Sequence, residues 1–125
     1  MNKYTELSDF EINKNVFIRE CEDNCIQYKY IKQRTGNLQL FQRQLKATIK
    51  NDNEEAWEET EWIDFFDEGM AMNLVKTNRI AINPRGDTWE CGVGWNTVED
   101  KKLTRAICIA YLLKKDSENE NNNNS

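Results

Sequence analysis

Leu7-Ser8-Asp9-Phe10-Glu11-Ile12 commits the start of this chain to a helix more firmly than any other stretch does. Ser8 stands where a cap accepts the first free backbone N–H groups, and Glu11, three residues on, stands where it can reach back. Leu7 before the cap and Ile12 at the fourth helical position form the matching apolar staple. Asp9 and Glu11 suit the positive end of the helix dipole. Phe10, Val16, Phe17 and Cys21 then recur on one face, which predicts a packing helix from about Asp9 to Cys21.

The next segment reads as a β-hairpin. Ile26, Tyr28 and Tyr30 alternate with polar residues, and Thr35-Gly36-Asn37 is a turn signal. On the returning limb Leu38 and Leu40, then Leu45, Ala47 and Ile49, alternate in two pieces, with a change of phase near Phe41 to Gln44 that suggests a bulge. Further on, Met70, Met72, Leu74 and Val75 predict a short helix with Asp67 or Asn73 near its start. Arg79 to Pro84 predicts a strand, Arg85-Gly86-Asp87 a turn, and Thr88 to Trp95 another strand. Asn96 or Thr97 would cap the last helix, with Glu99 and Asp100 in its first turn and Leu103, Ala106, Ile107, Ala110 and Leu113 at helical spacing. The order α-β-β-α-β-β-α predicts an α+β fold: a small, mainly antiparallel sheet of about four strands, packed by the N-terminal and C-terminal helices. A single domain is expected over residues 1–115, and the polar run at 116–125 is expected to be a disordered tail.

Composition narrows the chemistry. The chain has no histidine, so Ser-His and Cys-His nucleophile pairs are absent, as are the usual His-containing metal sites. Of its three serines, one is the helix cap and two lie in the C-terminal run. Its four cysteines, Cys21, Cys25, Cys91 and Cys108, could hold zinc only by all four joining one site, and the last two form no close pair. Buried thiols in a reducing cytoplasm are the expectation. No apolar run reaches the roughly 18 residues of a membrane span, and Met1 to Lys14 has no apolar signal core. An enzyme is not expected, nor a cofactor or a metal.

Charge is distributed by segment. Residues 1–25 carry −3, residues 26–50 carry +6, residues 51–69 carry −9 and residues 70–125 carry +1, within a net −5. The −9 segment threads Trp57, Trp62, Phe65 and Phe66 between its acids. One reading is a solvated loop whose charges pair with the basic hairpin beside it. Aromatic residues argue that part of it is buried, and Trp62 and Phe66, four apart, suit one face of a helical turn. A second reading is a recognition surface, in which aromatics anchor and carboxylates steer a basic partner. Glu54, Glu55, Trp57, Glu58, Glu59, Glu61, Trp62 and Asp64 would form it. A third is an oxygen-ligand site for calcium or magnesium at Asp52, Glu54, Glu55, Glu58 and Glu59, without the glycine and ligand order of an EF-hand. A different class of reading begins from Lys29, Lys32, Arg34, Arg43, Lys46 and Lys50, which with Tyr28 and Tyr30 could bind nucleic acid through phosphate contacts and stacking. The adjoining acidic segment opposes a polyanion there.

Tyr4-Thr5-Glu6-Leu7-Ser8-Asp9-Phe10-Glu11-Ile12-Asn13-Lys14 resembles the opening signature of the phage NinX-like family, small proteins encoded by tailed bacteriophages and prophages. Later pieces follow in a similar order: Trp62 to Asp67, a strand like Arg79 to Asn83, Gly-Asp-x-Trp-Glu at Gly86 to Glu90, and Leu103-Thr104-Arg105-Ala106 in the last helix. The chain departs from the family at Phe65 to Val75, where an Ala-Trp-Pro segment is usual, and at Val98, where a proline is usual. The resemblance implies a phage or prophage origin, and hence a host bacterial cytoplasm, and it transfers no catalytic residue. Together with the second reading it points to an accessory protein that binds a host or phage protein bearing a basic surface. That partner would belong to a host defence or nucleic-acid-handling complex, and the binding would be inhibitory.

Overall fold

A computed structural model of the chain describes residues 3–24, 28–33, 41–46, 57–59 and 63–123. The described residues form three helices and six strands, in the order α1 (Asp9–Asp23), β1 (Tyr28–Gln33), β2 (Phe41–Lys46), β3 (Trp57–Glu59), α2 (Glu68–Asn78), β4 (Ala81–Arg85), β5 (Thr88–Val93), β6 (Asn96–Asp100) and α3 (Leu103–Asn123). The fold is α+β with antiparallel sheets, as the element order predicts. The strands make two sheets of three, β1-β2-β3 and β4-β5-β6, where one sheet of about four is expected. Two compact units result: residues 1–16 with 65–125, and residues 17–64.

In the first unit the local signals act as predicted. The Ser8 hydroxyl accepts from the Glu11 N–H at 3.2 Å, and Ile12 and Val16 are fully buried. Asp67, one of the two starts considered, caps α2 by accepting from the Met70 N–H at 3.2 Å. That helix ends at Arg79, which takes the left-handed conformation (φ 54°) and donates its N–H back into the last turn.

The β4–β5–β6 meander departs from expectation at its third strand. Asn96 and Thr97 cap nothing: they open β6, which pairs along β5 from Val93↔Asn96 to Trp89↔Asp100. Gly94, at φ 61°, turns the chain in two residues. A positive φ at the first central position alone is the type II′ hairpin pattern. Burial of Val98 against its partner Cys91 then holds the strand in register. The last helix consequently starts at Leu103, with the Asp100 carboxylate accepting the Lys102 N–H at 2.8 Å. Glu99 and Asp100 lie in the strand, not in a helical first turn.

Helix α3 packs on β5, β6 and α2. Every residue from Ala106 to Leu112 is buried, so two turns are enclosed on all sides. The helix also runs eight residues past Lys115, through the stretch expected to be disordered. That stretch holds no glycine or proline to stop a helix. Lys114 reaches Glu118 at 3.1 Å and Lys115 reaches it at 3.7 Å, spacings only a helix supplies.

In the second unit, Phe17 and Cys21 on the latter half of α1 are buried as their stripe predicts. β1 and β2 are the two limbs of the expected hairpin, and the Thr35-Gly36-Asn37 turn lies outside the described residues. The irregular step falls between Tyr28 and Ile31 on the first limb, opposite Leu45 and Arg43, so the extra residue belongs to β1 and not to Phe41–Gln44.

Candidate interaction surfaces

The N-terminal signature is taken up by structure, residue by residue. Tyr4 is 5 % exposed and donates its hydroxyl to Asp116 at 2.5 Å. The Thr5 and Leu7 carbonyls accept from the Arg105 guanidinium at 3.1 and 2.8 Å. Asp9 accepts from the same guanidinium at 2.6 Å and from the Lys102 ammonium at 2.8 Å. Asn13, 2 % exposed, accepts the Phe65 N–H at 2.9 Å. Arg105 also donates to Asp100 at 3.1 Å, so one guanidinium joins the start of the chain to the end of the meander. Burial pushes the Asp9 carboxyl up, but the hydrogen bonds and charges of Lys102 and Arg105 outweigh it and hold the group below its usual value.

The residues proposed for the acidic-aromatic surface divide. Trp57, Glu58 and Glu59 form β3, and their backbone pairs with β2 in the register Lys46↔Trp57, Leu45↔Glu58 and Gln44↔Glu59. Asp64 is half-buried. Glu54, Glu55, Glu61 and Trp62 lie outside the described residues, as does Asp52 of the cation reading. Ile63 to Asp67 forms a bridge and a turn, and Trp62, the other half of the expected helical face with Phe66, lies outside the described residues. Phe65 is the buried ring, its N–H held by Asn13 and its carbonyl accepting from the Cys108 thiol at 3.4 Å. Phe66 lies under the Lys102 ammonium, 4.9 Å from its ring centre.

Of the basic residues, Lys29 and Lys32 lie on β1, Arg43 and Lys46 lie on β2, and Arg34 and Lys50 lie outside the described residues. Because β2 is the central strand, its basic positions stand one strand from the acidic β3. Cys21, Cys91 and Cys108 are separately buried thiols. Burial and the neighbouring Glu90 push the Cys91 thiol up to about 11. Among the described residues no three Cys, Asp or Glu side chains gather as a metal ion would require.

One surface feature escaped the sequence reading. Trp95, assigned there to a strand, stands at the tip of the β5–β6 hairpin and is 100 % exposed. Its signal was the Gly94-Trp95 pair, since a glycine-led two-residue turn puts the second residue in the loop. Beside it opens a cleft of about 310 Å³ lined by Lys3, Tyr4, Asn96, Leu113, Asp116 and Ser117.

Compared with protein families, with curated proteins and with solved structures, the chain finds no match in any of the three.

Proposed function

We propose that this chain acts by stoichiometric protein binding through its acidic-aromatic segment, as a phage or prophage accessory protein that inhibits a host defence or nucleic-acid-handling complex. The observation that supports this reading is the place of β3. Among the described residues Trp57-Glu58-Glu59 is the outer strand of its sheet, so the acidic segment carries a sheet edge. Edge backbone groups give a partner strand something to bond, and the flanking carboxylates favour a basic partner. Phage origin comes from the NinX-like resemblance alone.

The basic hairpin supports a second reading, a small nucleic-acid-binding regulator. Against it stands the adjoining −9 segment, which opposes a polyanion at the hairpin.

Affinity capture from the bacterial host, run with the parent chain and with a Glu58→Gln, Glu59→Gln, Glu61→Gln triple variant, tests the first reading. A partner held by the parent and lost by the variant is the expected result. Equal capture by both would remove the acidic segment from the interface. A salt-sensitive shift of labelled DNA or RNA would favour the second reading.

A further inference from the structure

Trp95 has no local reason to be tryptophan. Val93 pairs with Asn96, leaving a loop of Gly94 and Trp95 alone, and the turn is made by Gly94 at φ 61°. Such turns take a small polar residue at the second place as readily as any other. The indole gains no burial within the chain, whereas Trp89, six residues earlier, is half-buried.

What lies beside it is suited to an indole. Asn96 is both the residue after Trp95 and a wall of the cleft, so the projecting ring and the recess share one rim. Leu113 offers an apolar surface there, and Lys3 supplies a cation. That ammonium lies 3.5 Å from Asp116 and 5.1 Å from the Tyr4 ring centre, and the lysine side chain is 72 % exposed. An accessible ammonium favours an aromatic face, and indole is the best of the three aromatic side chains in that role.

We propose that Trp95 and this cleft form a self-complementary surface on which two copies of the chain exchange indoles, each Trp95 entering the other copy's cleft beside Lys3. A knob and a recess on one rim can be exchanged about a two-fold axis, which closes the assembly at two. Each indole brings roughly 150–250 Å². The exchanged pair therefore falls short of the roughly 1,200 Å² at which stable interfaces begin, so the dimer is weak.

Sedimentation equilibrium of the full chain tests this, from about 10 µM to about 1 mM. A reductant is present throughout, and salt of about 0.3 M screens the repulsion between two acidic chains. The expected result is an average mass that rises from 14.8 kDa toward twice that value. Trp95→Ser should stay monomeric across the range with an unchanged circular dichroism spectrum. Lys3→Gln should weaken association about two- to five-fold. A parent chain that remains monomeric at the highest concentration overturns the proposal. So does a dimer that Trp95→Ser leaves intact, or growth beyond two copies.

Discussion

Asn13 and Phe65, 52 positions apart, are joined by a buried hydrogen bond of 2.9 Å in which the Asn13 side-chain oxygen accepts the Phe65 N–H. The bond returns the acidic-aromatic segment to α1 at the point where Phe65 enters the core. Asn13→Leu keeps the branched outline, at a larger volume, and removes the acceptor. It leaves a buried N–H unsatisfied, which costs about 1–3 kcal/mol. Urea unfolding should show a lower midpoint with an unchanged slope.

Arg105 makes bonds to Asp9, Asp100 and two backbone carbonyls, with its own side chain 15 % exposed. Arg105→Met should cost on the order of 2–3 kcal/mol, less than a fully buried pair because Asp9 is half in solvent. Arg105→Lys should recover only part of it, since an ammonium lacks the planar fork that reaches four acceptors. Chemical denaturation of both variants decides the order.

Stability should depend on pH through Asp9. Its carboxyl is held below the ordinary 3.8 in the folded chain, so the folded state favours the ionised form. The contribution is complete above about pH 5 and is lost as pH falls through 3.8 toward the folded-state value. Asp9→Asn should therefore unfold more readily than the parent at pH 7, and the difference between the two should shrink by pH 3. A gap that does not narrow would deny Asp9 this role.

Gly92 is confined by its neighbours. A Cβ there would collide with the Asn96 carbonyl oxygen and lie 2.7 Å from the Thr97 Cα, both backbone atoms that cannot swing aside. Gly92→Ala should disrupt the β5–β6 pairing. Gly94→Ala meets open space and pays only for its positive φ, about 1–2 kcal/mol. Thermal unfolding should rank Gly92→Ala well below Gly94→Ala.

The Cys91 thiol, buried and titrating at about 11, should be nearly inert to alkylation at pH 8 in the folded chain. Cys21 and Cys108, also buried, should be protected with it and all three should label in denaturant. Peptide mass mapping after brief iodoacetamide treatment reads each site separately.

Features that rest on neighbours three to five residues apart were legible in the chain itself: the Ser8 cap, the Arg85–Asp87 turn and the helical spacing of α3. Each depends on backbone geometry that a short segment specifies alone. The path of Asn96 to Asp100 was not legible, because Asn-Thr followed by two acids is as good a helix start as it is a strand. Pairing with β5 and burial of Val98 decided between them. The helix beyond Lys115 was read as a tail from its polar composition, although Lys114 and Lys115 stand one turn from Glu118 and so carried a local signal for it.

The sequence by itself determined the α+β class, the capped first helix, the absence of histidine chemistry and the segregation of charge. Only the tertiary structure decided what the signature residues do. Arg105 meets Asp9 across 96 positions and Asn13 meets Phe65 across 52, distances at which periodicity and capping rules carry no information.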